Sequence, residues 1–338
     1  MKTTALQKRI AMMFCVMVAC HAAYGQSVPS AVLQVDVQNL VAYIEDTADG
    51  TKFATLPNVT PAVTPKNFYS AVQIGDIVAV NGQPAKGTLT IHARRINLSP
   101  NANPGDAIAD TGRLNYAVFG FEFLTTDGII VGSLISAGLA GTGTPPPGSP
   151  AGQTQGNNSI TGGTGAFLGA RGTQGQGAAP QAIAVRTASI TEDPANRRKN
   201  GGGTVRFFLQ VIPMTVPQVV VTSSGPAVAH SSDFSLVSAA KPATPGEVLS
   251  LFASGLGPTR PGVDIGQPFP ASPQPVNSPV EVLVNGKSAE LLAAVGYPGA
   301  VDGYQVNFRV PADAAKGATT IQIRAAWISG PAVSIPVQ

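Results

Sequence analysis

The chain has 338 residues, with 21 Lys and Arg against 18 Asp and Glu, and it contains 38 Gly and 29 Pro. So much glycine and proline excludes long helices and requires many turns, and the frequent short segments rich in Val, Ile and Phe are typical of an all-β protein. After residue 25, no apolar run approaches the ~20 residues of a membrane helix.

The first 25 residues have the organisation of a secretory signal peptide. Lys2, Lys8 and Arg9 precede the apolar run Ile10–Ala19, and Ala23-Tyr24-Gly25 supplies small residues at the recognition positions of a cleavage site. The run is too short to span a bilayer. We therefore expect a secreted, periplasmic or cell-surface protein. Cleavage leaves 18 basic and 18 acidic residues, a balance with no electrostatic footprint for nucleic acid.

Both cysteines, Cys15 and Cys20, lie within this segment. A chain cut after Gly25 therefore contains no thiol, disulfide or thiolate metal site, and its stability must come from its apolar core. One alternative remains open, because Met17-Val18-Ala19-Cys20 loosely resembles a lipoprotein processing box. Processing at that box would leave Cys20 lipidated.

Strand patterns dominate the next part of the chain. Alternating apolar and polar residues predict a long strand over Val32–Glu45. Further strands are predicted at Ile74–Val80, Gly87–Asn97, Gly112–Thr125, Ile129–Ala137, Ala182–Thr191 and Thr204–Met214. Asn81-Gly82 and Asp127-Gly128 are hairpin turns, and Gly138–Asn158 is a low-complexity loop. Together with the stretch that follows this loop, about eight strands precede residue 215, the number that a small closed barrel uses.

Ser159–Gly172 is the most specific stretch of the chain. Its short apolar run is interrupted by five glycines, namely Gly162, Gly163, Gly165, Gly169 and Gly172. A phosphate-binding loop would need a helix after it and usually a Lys-Ser/Thr pair, and this stretch has neither. A glycine-rich hairpin explains the composition, because glycine permits positive φ and close backbone approach. We interpret the glycines as a fold-defining turn that feeds a tightly packed strand.

The same stretch carries a family resemblance. Gly-Gly-Thr-Gly-Ala-Phe at Gly162–Phe167, followed by Gly-Ala-Arg-Gly at Gly169–Gly172, resembles the signature turn and strand of the dirigent and allene oxide cyclase-like barrels. The strand and hairpin order before it and the last strand, Gly203–Val211, also match. The resemblance implies an eight-stranded antiparallel barrel that holds a small hydrophobic molecule, steers a radical coupling or a cyclisation without a metal or cofactor, and forms a trimer.

From Pro217 onward, the predicted strands become shorter. Short strands are predicted at Val219–Thr222, Val248–Ala253, Val280–Val284, Gly303–Val310 and Thr319–Trp327. Asn285-Gly286 is another hairpin turn. Roughly seven short strands in about 120 residues suggest a sandwich of the immunoglobulin kind that lacks its cysteine pair.

Three motifs give this part a resemblance of its own. Pro245–Pro258, Asn285–Glu290 and Tyr304–Pro311 closely resemble a C-terminal domain that many secreted proteins of soil bacteria carry, which is similar to IPT/TIG immunoglobulin-like sandwiches. The resemblance implies a domain that presents other domains, packs against partners or binds surfaces. We therefore divide the chain into a signal peptide (1–25), a barrel (30–214), a linker with the first strand of the second domain (215–245), and a sandwich (246–338).

Few residues offer acid-base or metal chemistry. The mature chain has two histidines, His92 and His230, in different domains, so neither a metal-ligand spacing nor a Ser-His-Asp constellation can be assembled. We predict no metal and no cofactor. His92 is interpreted as a packing or surface histidine and His230 as a loop residue. Arg197-Arg198-Lys199 is predicted to be a solvated hairpin tip, with an anionic-ligand patch as the alternative.

Two carboxylates, Asp36 and Glu122, interrupt predicted strands. A carboxylate that faces a barrel lumen is costly unless it is paired or wet, whereas an exposed face needs no explanation. Four arginines also lie in predicted strands and could pair with these acids, namely Arg94, Arg113, Arg186 and Arg206. The candidates for a catalytic role are Glu122, Tyr116, Asp36 and Arg206.

The sequence is compatible with three functions. The first is a non-catalytic binding or surface-interaction protein, whose barrel holds a small apolar ligand and whose sandwich presents it. The second is a cofactor-free cyclase or isomerase that acts in the barrel lumen through pocket shape and a few polar groups. The third is a structural envelope or matrix component. A lumen filled by side chains would count against the enzyme.

Overall fold

The computed structural model describes residues 31–46, 68–97, 113–142, 157–189, 191–264 and 266–338. Within these ranges 62% of the residues are in β-strands and 3% are helical, and the helical residues are confined to a short segment between 194 and 200. The predicted signal peptide, the possible lipidation site Cys20 and most of the predicted loop Gly138–Asn158 lie outside the described residues.

The described residues of the N-terminal domain form nine strands. These are β1 (Ala31–Asp46), β2 (Phe68–Val80), β3 (Gln83–Asn97), β4 (Arg113–Leu124), β5 (Ile130–Thr142), β6 (Asn157–Gly165), β7 (Arg171–Gly177), β8 (Arg186–Ser189) and β9 (Gly203–Ile212). All except β8 pair antiparallel in the order β2-β3-β4-β5-β6-β7-β9-β1, and β1 closes the sheet onto β2. The predicted all-β fold and its closed eight-stranded antiparallel barrel are therefore confirmed.

Two predictions about the barrel strands are wrong in detail. The predicted strand Ala182–Thr191 is only the four-residue β8, which pairs parallel with the far end of β1. Its place in the barrel is taken by β7, whose sequence of Gly, Gln and Thr shows no apolar alternation. The predicted loop from Gly138 begins later, because β5 continues to Thr142 while its backbone pairs with β4.

The second domain consists of two main sheets and a two-stranded ribbon formed by β11 and β12. Its strands are β10 (Gln218–Val219), β11 (Val221–Thr222), β12 (Gly225–Pro226), β13 (Val228–His230), β14 (Val248–Ser254), β15 (Val280–Val284), β16 (Lys287–Ser288), β17 (Glu290–Gly296), β18 (Gly303–Arg309), β19 (Gly317–Ala325) and β20 (Ile328–Val337). One sheet contains β10, β13, β14, β18 and β17, and the other follows the order β16-β15-β19-β20. A single apolar core that includes Leu251, Phe308, Val282 and Ile321 lies between them, which makes this domain a β-sandwich.

The hairpin between β19 and β20 joins the two domains. The predicted strand Thr319–Trp327 stops at Ala325, and the next two residues, Ala326 and Trp327, form the turn with φ of 48° and 61°. Trp327 packs against Phe123 of β4 with ring centroids 5.9 Å apart and belongs to the core of the barrel. This burial overrides the usual preference of such turns for Asn-Gly. The tip of this hairpin therefore packs into the core of the barrel.

Candidate functional site

The centre of the barrel lumen is filled by aromatic side chains. Phe119 and Phe121 of β4 contact Phe207 of β9, with ring centroids 6.0 and 5.3 Å apart. In the closed order of strands, β4 and β9 are separated by three strands in either direction, so these contacts span the lumen. The packing leaves no space at this level for the small apolar ligand that the family resemblance implies.

Three buried polar side chains, Ser136, Asn158 and Gln174, interrupt the apolar lining on β5, β6 and β7. The Ser136 hydroxyl donates to Oε1 of Gln174, whereas Oδ1 of Asn158 has no hydrogen-bond partner among the described residues. The sequence does not reveal this group, because neutral polar residues inside Gly- and Thr-rich strands give no distinct signal. None of the three is an acid or a base near neutral pH, so the group by itself offers no proton transfer.

The four candidate catalytic residues lie on the outer face of the barrel. Tyr116 is 53% exposed and Glu122 is also exposed, and both alternate with the buried phenylalanines of β4. Asp36 and Arg206 lie opposite each other on β1 and β9. Arg206 donates from Nε to Oδ1 at 2.5 Å and from Nη2 to Oδ2 at 2.9 Å. Of the predicted carboxylate-arginine pairs, this one forms, as an ion pair on the outer wall.

Backbone geometry accounts for four of the five glycines in the predicted turn. A β-carbon on Gly163 would lie 2.3 Å from the carbonyl oxygen of Phe167, and one on Gly172 would lie 1.9 Å from that of Gln210. Gly165 and Gly169 have φ of 61° and 70°. A β-carbon on Gly162 would meet open space. These four glycines therefore serve the connection from β6 to β7.

A β-bulge interrupts the regular pairing of β1 with β2 in the barrel wall. Asn39 has φ of 52°, and the register of β1 against β2 shifts between Gln38 and Val41. The shift reverses which side chains face outward, so Val41 and Tyr43 form a small apolar cluster with Ala188 of β8. The connection between β7 and β9 therefore lies over this part of the wall.

Asp76 on β2 is the centre of a polar cluster beneath that connection. Its Oδ1 accepts from Nη2 of Arg197 at 2.5 Å and from Nη2 of Arg198 at 2.7 Å. Its Oδ2 accepts from Nε of Arg198 at 2.8 Å and from Nδ2 of Asn39 at 2.9 Å. Burial alone would raise the pKa of Asp76, but hydrogen bonds from Arg198, Asn39 and Arg197 outweigh it and lower the pKa to about 2.

For Arg197, this cluster corrects the prediction that Arg197-Arg198-Lys199 is a solvated hairpin tip, whereas Arg198 and Lys199 are exposed as predicted. The side chain of Arg197 is only 13% exposed, because a buried carboxylate needs cationic partners. Arg198 shares the same carboxylate but keeps 66% of its side chain exposed. Asp76 itself was missed by the sequence analysis, although it interrupts a predicted strand in the same way as Asp36.

Two cavities lie beside Val78 on the outer wall. The larger, about 390 Å³, is called the β2–β3 groove below, and its lining includes Asp76, Lys86, Thr88 and Arg198. The smaller, about 270 Å³, lies between β1, β2, β9 and residues 179–181. Small-molecule sites are commonly about 300–1,000 Å³, so the larger cavity falls within that range.

His230 is a second titratable group whose position differs from the prediction. It is the last residue of β13 and only 3% exposed, which corrects its interpretation as a loop residue. Nδ1 hydrogen bonds with Oε1 of Glu247, and Nε2 lies 3.2 Å from the carbonyl oxygen of Lys241. Burial raises the pKa of Glu247, but hydrogen bonds from His230 and Thr244 outweigh it and lower the pKa overall. His92 is exposed on β3.

Comparison with known proteins adds no assignment. The sequence matches no protein-family model, and neither a curated protein nor a solved structure matches the chain. The two family resemblances, the trimer and secretion therefore stay predictions. In the described ranges, no three His, Cys, Asp or Glu side chains are grouped so that they could hold a metal ion. No helix in these ranges has the length and hydropathy needed to cross a membrane.

Proposed function

We propose that the protein is a secreted, non-catalytic binding protein that holds its ligand on the outer wall of the barrel. The observation that carries this proposal is the contrast between the two sides of the wall. The lumen is spanned by the contacts of Phe119 and Phe121 with Phe207, whereas cavities of about 390 and 270 Å³ flank Val78 on the outside.

A rigid framework supports binding at this place. The Asp76 cluster fixes the β7–β9 connection against the wall, and Trp327 anchors the sandwich in the barrel core. A further hydrogen bond of 2.5 Å runs between the domains, from Nε2 of Gln83 to Oε1 of Glu281. A surface held in one conformation loses less entropy when it binds a ligand. In this scheme the sandwich is the presenting module.

The cyclase alternative has less support from the same geometry. Such an enzyme would need acid or base groups within reach of a substrate in the lumen. Asp36 and Arg206 instead hydrogen bond to each other on the outer wall, and Tyr116 and Glu122 are exposed there. The three polar groups that do interrupt the lumen lining are neutral.

Native mass spectrometry of the full chain, purified from its own host, tests the proposal. We expect the wild type to carry a small molecule, and Val78→Trp to lose it, because the indole would fill space in both cavities. Val118→Trp is the matched control, since Val118 lies on β4 and lines neither cavity. Retention of the same mass by Val78→Trp, or conversion of the released compound by the protein, would contradict the proposal.

A further inference from the structure

We infer that the β2–β3 groove binds an oxyanion, a carboxylate, sulfate or phosphate group carried on a compact apolar body. The inference rests on the proposed function and specifies the chemistry of its ligand. Positively charged side chains surround the groove. Arg198 and Lys86 line it, and Arg197 binds the same carboxylate as Arg198. Against these three cations stand the lining acid Asp76 and one exposed acid beside the groove, Glu122.

The carboxylate of Asp76 is fully hydrogen bonded and does not need the cationic donors that a ligand would use. Both of its oxygens already accept two hydrogen bonds each, from two arginines and Asn39. The carboxylates of Asp76 and Glu122 offset two of the three positive charges. An excess of positive charge therefore remains at the groove, and a concave site concentrates the field of such charges.

Free donors point to the same ligand class. Arg198 uses Nε and Nη2 for Asp76, and its Nη1 has no hydrogen bond to any other described residue. The ammonium group of exposed Lys86 and the hydroxyl of Thr88 are likewise unpaired within the described ranges. A guanidinium, an ammonium and a hydroxyl are the donors that carboxylate and phosphate oxygens accept from.

Most of the remaining lining is apolar, and Asn39, which donates to Asp76, is a further polar side chain in it. Half-buried Val78 and Leu124 form apolar parts of the wall, where buried Ile77 and Ala85 of the barrel core also border the groove. The volume of about 390 Å³ exceeds what a bare inorganic ion needs. An organic body the size of one aromatic ring would cover these walls while its anionic group reaches Arg198 and Lys86. We therefore choose ring-bearing anions as probes.

One neighbouring acid sets a limit on affinity and provides a test. Glu122 lies directly opposite Thr88 on β4, is exposed, and faces the same outer side of the barrel. Cross-strand neighbours have β-carbons about 4.5–5.5 Å apart, so this carboxylate repels an anion bound beside Thr88. Removing its charge strengthens binding if the ligand is an anion and has little effect if the ligand is neutral.

The test is calorimetric titration of the full mature chain with phenyl phosphate, phenyl sulfate and benzoate, with benzyl alcohol as the neutral analogue. At least one anion is expected to bind, and the alcohol is not. Lys86→Gln should weaken that binding by about fivefold, as expected for one exposed ion pair. Glu122→Gln should strengthen it by a few-fold. Higher salt should weaken it, because salt screens exposed charges.

Lys199→Gln is the matched control, because Lys199 adjoins Arg198 and is exposed but does not line the groove. Binding unchanged by Lys86→Gln, or weakened equally by Lys199→Gln, would overturn the assignment, as would equal binding of benzyl alcohol. So would failure of all three anions to bind. If a host compound is nevertheless lost on Val78→Trp, binding at the outer wall stands and only its anionic chemistry is wrong.

Discussion

At Asp76, four hydrogen bonds converge on one buried carboxylate, and their effect should depend on pH. The pKa of Asp76 is about 2 in the folded chain against an ordinary value of 3.8. A lowered folded-state pKa stabilises the fold fully above about pH 4, and this contribution is lost as the pH falls towards 2. Nearly two pKa units correspond to about 2 kcal/mol.

Asp76→Asn should therefore reduce the free energy of unfolding by about 2–4 kcal/mol at pH 7, since it leaves two arginines without their carboxylate. Urea unfolding at pH 7 and pH 2.5 measures the difference between wild type and variant, which should shrink markedly at the lower pH. Asp127→Asn, in the exposed β4–β5 turn, is the control and should change stability little at either pH. An equal deficit of the Asp76 variant at both pH values would show that the carboxylate charge is unimportant.

His230 and His92 form a matched pair for a second prediction. Both nitrogens of buried His230 face oxygen acceptors, on Glu247 and Lys241, whereas His92 is exposed on β3. His230→Phe should cost about 2–4 kcal/mol, because it leaves the half-buried Glu247 short of a donor. His92→Phe should stay within about 0.5 kcal/mol. Thermal or urea unfolding at pH 7 compares them, and similar losses would contradict the buried network.

On the scale of single elements, the β6–β7 connection allows a clear prediction about glycine. Gly172→Ala should cost about 3 kcal/mol or more, because φ is 145° and the β-carbon would lie 1.9 Å from a carbonyl oxygen. Gly162→Ala should change stability by less than about 1 kcal/mol, since its β-carbon would meet open space. The two midpoints of urea unfolding measure this contrast. Equal tolerance of both changes would mean that the connection is not packed as described.

The sequence predicted the strands and turns that are specified by a pattern within a short segment of the chain. Alternation gave β1, β4 and β9, and the Asn-Gly turns at 81–82 and 285–286 both adopt the left-handed conformation expected of them, with φ between 49° and 79°. A strand after the glycine turn was predicted but the bounds of β7 were not, because its Gly and Gln residues pair through the backbone and carry no apolar period. The Ala326-Trp327 turn was also missed, because only a contact with the other domain explains it.

The candidate site was less accessible from sequence than the strands. A facing pair such as Asp36 and Arg206 could be proposed from residue type alone. Which face a side chain occupies depends on bulges, and the one at Asn39 reverses the outward positions of β1. The contact of Arg197 with Asp76 joins segments far apart in the chain, so no local pattern could reveal it.

On the scale of the whole molecule, the two domains share a core through Trp327. Trp327→Ala should cost about 3–5 kcal/mol, because it removes a large buried ring that contacts Phe123. Since that ring belongs to the barrel core, hydrogen exchange should accelerate in β4 as well as in the β19–β20 hairpin.

Tyr297→Ala is the control within the sandwich. Tyr297 is 44% exposed and contacts Phe252 edge-on, so its loss should leave exchange in the barrel unchanged. If Trp327→Ala likewise alters exchange only in the sandwich, the domains do not share a core. Faster exchange in β4 after Tyr297→Ala would show that any loss of stability spreads to the barrel.

The central claim is that ligand binds outside the barrel and that side chains occupy its centre. A crystal structure of the mature chain purified from its own host tests this most directly. We expect ligand density in the β2–β3 groove, beside Val78 and Arg198, with Phe121 and Phe207 in contact across the lumen. Ligand density between those two rings, with the groove empty, would contradict it.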